Sequence, residues 1–546
     1  MKTVKKVLAL LVILSLVLTF AACGGGGAKG MDLLNVCISS EPQTIDPALN
    51  SSVDGAIMAN HMFEGLMKWK NDGKGNGVIT EGQAASYKVS DDGLVYTFTL
   101  RDDIKWSDGQ PVVAGDFVYA WQRLVDPATA ADYSYMLGSV VNAMEIIDGE
   151  KAPTELGIKA LDDKTLEVTL IAATPFFTEI CAFPATFPVR KDIIDAKGDQ
   201  WTFDVATYIG NGPYKMSEWV HNSYIKVVKN ENYYDPNFAV PAAIQFTLMD
   251  DDNAIYAAFN SGELQFISTV PADEIATLLE QKKLHIVDNI GTYYVTFNNS
   301  KAPFNDVRVR QAFSLTIDRN YIVEQITQTG EIPASGFVAT GVWDAAGSSG
   351  DDFRTVGGDF YDVAKDKYQA NCDKARQLLA DAGYPGGQGF PIVEYLYNTS
   401  SRHKAIAEAL QNMWQKELGV TVTLANQDWA VFLQTRKQGD YQIARNGWLS
   451  DYNDPMSFLD MWVTGSGNND AQYSNKRYDD LIAQAKATSV QKDRMKLMHD
   501  AEQILVGEDC FSAPVYFYTN YYMINEKVKG MYYVPLGYFF FNTCHY

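Results

Sequence analysis

A guanidinium, an indole and a carboxylate lie close together in "IARNGWLSDYNDPMSFLD" (443–460), as Arg445, Trp448 and Asp451. An Asp454-Pro455 turn and another acid, Asp460, follow. Such residues could belong to an active site, a metal cage or a grip on a charged ligand. The same letters also spell an ordinary Asp-Tyr-Asn-Asp-Pro surface turn. The rest of the chain has to separate these readings.

Catalysis finds little support. No GxSxG elbow is present, since "AAGSSGDD" (345–352) lacks the second glycine where it is needed. No GxxxxGK[ST] phosphate cradle occurs. The histidines at 61, 221, 285, 403, 499 and 545 are scattered, with no HExxH spacing for zinc. "MDDDNAIYAAFNSGE" (249–263) has the acids of a calcium loop but misplaces the turn glycine and the later oxygen ligands. It reads better as acids capping a helix. No catalytic residue, no metal site and no cofactor is therefore assigned, and the chain is not expected to be an enzyme.

The elements that would position the cluster are mixed. Alternation predicts strands in "LVYTFTLR" (94–101), "KTLEVTLI" (164–171), "SYIKVVKN" (223–230) and "TYYVTFNN" (292–299). Helical spacing marks 107–125, 250–266, 306–318 and 401–419. In the last, Ile406, Leu410, Met413, Trp414 and Leu418 share one face, and Gly419 stands where a helix would stop. Interleaved strands and helices give an α/β class. A chain of 546 residues exceeds what one core supports and implies two or three domains. "TGVWDAAGSSGDDFRTVGGD" (340–359) reads as a long loop, either surface decoration or a lid.

The formal charge of −22 argues against nucleic acid as a partner. "MKTVKK", the apolar "VLALLVILSLVLTF" and "AAC" make a secretory signal over residues 1–22, too short to span as a membrane helix. This segment resembles a bacterial lipoprotein signal, with Phe20 where leucine is usual. The resemblance implies lipidation of Cys23, and "CGGGGAKG" (23–30) would then be a flexible tether. The other cysteines, at 37, 181, 372, 510 and 544, are odd in number and widely spaced, so no disulfide framework is readable.

Longer stretches carry a family resemblance. "ASYKVSDDGLVYTFTLRDDIKWSDGQPVVAGDFVYAWQRLVDP" (85–127) resembles the signature region of the peptide/nickel family of extracytoplasmic solute-binding proteins. "PFNDVRVRQAFSLTIDR" (303–319), "YNTSSRHKAIAEALQNMWQKELGV" (397–420), "QDWAVFLQTRKQGDYQIARNGWLSDYNDPMSFLD" (427–460) and "PVYFYTN" (514–520) are similar to its oligopeptide-binding branch. The resemblance implies a type II periplasmic-binding fold with two lobes, an extra domain and a hinged cleft. Domain I would comprise 31–63, 189–290 and 520–546, domain II 64–188, and domain III 291–519.

The same resemblance implies an oligopeptide receptor held at the outer face of the cell membrane by its lipid. It would work as a monomer with the permease subunits of an ATP-binding-cassette importer. Dipeptides, nickel complexes, haem and sugars are the alternatives within the family. Asp451 takes the position that holds a peptide ammonium, which needs a fixed carboxylate in a partly dry site. Arg445 and His403 take positions that hold the peptide carboxylate, for which the planar guanidinium suits. Ser51 and Val53, in "NSSVDG" (50–55), match a segment that pairs with the peptide backbone as an added strand. Trp429, Trp448, Tyr294 and Tyr518 match walls of roomy side-chain pockets. The chain also departs from the branch: Thr327 stands where a lysine is common, and Thr296 and Ser51 where acids are. The expectation is a cleft with one cation and two acids fewer, and a weaker hold on the peptide carboxylate.

Overall fold

The structure, a computed structural model, describes residues 31–546. The signal segment, Cys23 and the glycine tether lie outside the described residues. One 11-stranded mixed sheet runs through most of the molecule. Its centre is a pair of 13-residue antiparallel strands, His285–Phe297 and Ser512–Ile524. Both are rich in β-branched and aromatic residues, which suit a pleated surface buried on two sides.

On one flank of this pair stand Phe266–Ile267, Leu34–Ser39, Ala243–Leu248, Tyr224–Lys229 and Tyr214–Val220. On the other stand Ile443–Leu449, Val393–Asn398 and Val422–Gln427. The two central strands therefore cross from one lobe to the other. Their ladder is interrupted between Asp288↔Thr519 and Thr292↔Phe517. Gly291 lies in that interruption, where an added Cβ would stand 2.4 Å from the Trp448 carbonyl oxygen, so no larger residue fits.

A separate antiparallel sheet of four strands, Ala84–Val89, Val95–Leu100, Thr165–Thr169 and Ile158–Ala160, carries the helix Ala114–Val125 on its face. That helix buries Phe117, Ala120, Trp121, Leu124 and Val125, the apolar stripe of its sequence. The hairpin Met67–Asn71/Gly77–Glu81 packs instead on the C-terminal segment, where the Tyr533 N–H donates to the Gly75 carbonyl at 3.1 Å.

The helix Ser401–Leu418 starts at Ser400, whose hydroxyl accepts from the His403 N–H, and stops at Gly419 with φ 70°. The helix Asp252–Ser261 is capped by Asp251, whose carboxylate accepts from the Ala254 N–H at 2.8 Å. The 340–359 stretch is not a free loop. It contains the helix Phe353–Gly357, and Arg354 forms a buried double hydrogen bond to Glu502 at 2.7 and 2.8 Å. Phe353 stacks on His499, so the segment is pinned at its centre. Cys37, Cys181, Cys372, Cys510 and Cys544 are free and buried.

Candidate functional site

A cavity of about 400 Å³ lies where the two lobes meet beside the central strands, within the range of cavities that enclose a small ligand. All of Asp451, Arg445, His403, Trp448, Trp429, Tyr294, Tyr518, Val53 and Ser51 line it. Direct contacts close the lobes around it. Asp132 and Lys437 pair at 2.5 Å, Tyr133 donates to Asp451 at 3.1 Å, and Ser401 bonds Asp252 through its N–H at 2.9 Å.

Asp451 sits in the turn that ends the strand Ile443–Leu449. It is 6% exposed. Its carboxylate accepts from the Tyr133 and Ser457 hydroxyls and, among the described residues, has no cationic partner. Burial pushes its pKa well above the ordinary carboxylate range, although both hydroxyls oppose the rise. A ligand ammonium would reverse that shift by supplying the missing charge. Trp448 is fixed beside it by donating its indole N–H to the Ser457 carbonyl at 2.8 Å, which leaves its face toward Tyr133.

Arg445 lies on the same strand, opposite Val295 and farther from the interrupted ladder than Trp448. It donates to the Tyr518 hydroxyl at 3.4 Å and rests over the Tyr293 ring at 5.3 Å. It has no carboxylate partner among the described residues, and its Nε is buried without a hydrogen bond. A guanidinium held by aromatic neighbours and lacking a counter-ion is ready for an incoming carboxylate.

His403 reaches the Tyr293 hydroxyl at 3.5 Å. Burial, with the Arg445 and Arg402 guanidiniums nearby, pushes its pKa well below 6.5. It is neutral at physiological pH, so it offers a hydrogen bond and no charge. Tyr294 presents only part of its ring: it packs edge-on against Phe337 and Trp462, with its hydroxyl buried and unpartnered.

Two expectations need correction. The segment 50–55 carries no regular strand: Ser52 is extended, at φ −122° and ψ 151°, but a helix follows at once. Asn50 donates to the Ser52 carbonyl at 2.9 Å and accepts from the Ser52 hydroxyl at 3.1 Å, and Val53 begins the helix Val53–Met62. Gly55 permits this tight entry, because an added Cβ would collide with the Asn50 amide. The cavity therefore meets the first turn of a helix here, with backbone N–H groups that have no partner within the helix.

The second correction concerns charge. Thr327 and Thr296 do not line the cavity. The Thr327 hydroxyl donates to Glu331 at 2.9 Å, and Thr296 meets the Tyr441 hydroxyl at 3.4 Å; both threonines are fully buried. Glu331 in turn pairs with Arg402, which does line the cavity. Of the three substituted positions only Ser51 faces the ligand space.

Sequence reasoning missed several charged residues of the lining. The helix Trp429–Lys437 presents Trp429, Leu433, Arg436 and Lys437 to it. That spacing is one helical face and was readable as such. Asp470 pairs with Arg436 at 2.6 Å, and Asp132 with Lys437. Asp54, in the first turn of the helix Val53–Met62, also lines the cavity.

The model of the bacterial extracellular solute-binding proteins, family 5 (middle region), matches residues 79–470. Dipeptide-binding protein DppE of Bacillus subtilis is 36% identical over 93% of this chain and 91% of its own length. The Haemophilus influenzae OppA complex with the peptide RPPGFSPFR superposes with a TM-score of 0.88 at 31% identity, covering 95% of this chain and 99% of that one. The unliganded open form of the periplasmic murein tripeptide-binding protein MppA gives 0.61 at 33% identity, over 96% and 99%. At like identity and coverage the chain thus superposes better on the peptide complex than on the unliganded open form.

Proposed function

The chain belongs to family 5 of the bacterial extracellular solute-binding proteins, and on that premise we propose that it captures peptides with free termini outside the membrane. We infer further that it passes them to the permease of an ATP-binding-cassette importer while anchored through a lipid on Cys23. The observation that carries the peptide reading is a pair of opposite charges lining one cavity. A buried carboxylate, Asp451, and a guanidinium, Arg445, neither with an ion-pair partner among the described residues, face one enclosed space. A zwitterion spanning them satisfies both, and a peptide is the zwitterion whose charged ends are separated by a hydrogen-bonding backbone.

Each lobe contributes to the enclosure, so a ligand touching both favours the closed arrangement by its contacts with each. The first helical turn at Val53 and the ring faces of Trp429, Trp448 and Tyr518 would take backbone and side chains. The similarity to a dipeptide-binding protein supports a second reading, in which the ligand is only two residues long. Mass spectrometry of small molecules released by denaturing the purified protein tests both. Recovered oligopeptides are the expected result, dipeptides alone would favour the second reading, and a non-peptide solute alone would refute both. A binding role also requires that added peptides remain uncleaved on incubation.

A further inference from the structure

Four carboxylates and four basic side chains line the cavity besides neutral His403: Asp54, Asp132, Asp451 and Asp470, with Arg402, Arg436, Lys437 and Arg445. Three of the cations are already neutralised, by Glu331, Asp470 and Asp132. Arg445, Asp451 and Asp54 remain. A zwitterionic backbone satisfies the first two and leaves Asp54 without a counter-charge.

Asp54 is 6% exposed, and its Oδ2 has no hydrogen-bond partner among the described residues. Its position in the first turn of a ten-residue helix explains why a carboxylate is tolerated there. It does not explain why the group faces an internal space with an oxygen unsatisfied. The Trp429 indole N–H, which comes from the other lobe, is also buried without a partner. Burial raises the Asp54 pKa, and the nearby Trp429 indole N–H is among the groups that oppose the rise. Two orphaned polar groups on opposite lobes thus border one corner of a closed cavity, where a buried ion is costly unless paired.

We propose that Asp54, with the ring of Trp429 beside it, forms a subsite for a cationic side chain, so that the cleft favours peptides containing lysine or arginine. The carboxylate supplies the counter-charge, and the indole face a surface that attracts a cation. The subsite completes itself only when the lobes meet, so a basic side chain adds to the preference for the closed state. This inference rests on the peptide reading above.

The test is calorimetric titration of wild-type protein, stripped of ligand, with free-acid tripeptides. Lysine, or the uncharged norleucine of matching length, is placed in turn at each position among alanines. At one position the lysine peptide is expected to bind at least tenfold more tightly than its norleucine twin, and in Asp54→Asn that ratio is expected to fall to within about twofold. A ratio near one at every position in wild type overturns the subsite, as does a ratio that survives in the variant. The wild-type ratios decide the matter even if the variant fails to fold. If none of the tripeptides binds, the peptide reading itself fails, which is a different result from binding without preference.

Discussion

The Tyr133 hydroxyl donates to the Asp451 carboxylate at 3.1 Å from the opposite side of the cleft, so the group assigned to the ligand's ammonium is held partly by the other lobe. Asp451→Asn is expected to weaken peptides with a free amino terminus by about 2–5 kcal/mol, the scale for losing one partner of a desolvated charged pair. N-acetylated peptides should lose far less. Equal losses for the two, measured by calorimetry, would remove Asp451 from this role.

Proton release should accompany binding. In the ligand-free cavity burial raises the Asp451 pKa well above the usual carboxylate range. An ammonium beside it lowers that pKa again, so protons leave as the peptide enters and affinity falls as pH drops through the raised free-state value. Binding enthalpies measured below neutral pH in buffers of different ionisation enthalpy should therefore differ systematically. That difference should shrink in Asp451→Asn. Buffer-independent enthalpies from pH 5 to 7 would contradict the assignment.

Arg445 should carry the ligand's carboxylate almost alone, because Arg402 is committed to Glu331 and His403 is uncharged. Amidating the peptide is expected to cost about 2–5 kcal/mol in wild type and little in Arg445→Gln. His403→Asn should change the amidation cost less than Arg445→Gln does, at pH 6 as at pH 8. A large pH-dependent effect of the His403 change would show that the histidine carries charge after all.

The Asp132–Lys437 pair bridges the lobes, with Lys437 well exposed and Asp132 buried. Lys437→Met should destabilise the closed form by about 1 kcal/mol, the upper range for a pair open to solvent. Peptides of every kind should then dissociate several-fold faster. Small-angle scattering of the ligand-free variant should show a larger radius of gyration than wild type. An unchanged off-rate would mean the pair contributes nothing to closure.

Cys23→Ser should move the protein from the membrane fraction to the soluble one without altering peptide affinity. Retention in the membrane would refute the lipid anchor.

The strand and helix patterns were legible because periodicity reports which face is buried, and Gly419 and Asp251 mark helix ends in local chemistry. The site was legible where its residues sit close in sequence. Arg445, Trp448 and Asp451 belong to one strand and the turn after it, so one motif contains all three. Asp54 was not legible, since an acid in a first helical turn is ordinary and only the opposing lobe makes it unusual. Thr327 misled for the complementary reason: alignment gives a position along the chain, whereas Glu331 decides where that hydroxyl points. Arg402 was hidden beside His403, because its pairing depends on a loop some seventy residues away.

The two long strands that carry the sheet across the cleft lie side by side, and their ladder is irregular over one short stretch, between Asp288 and Tyr294. Paired strands bending within that stretch would share one axis, which would leave the lobes a single principal way to move. Peptides of many shapes would then be translated into one closed outline. A partner docking on that outline would read occupancy as a yes or no, and the ligand's identity would stay inside.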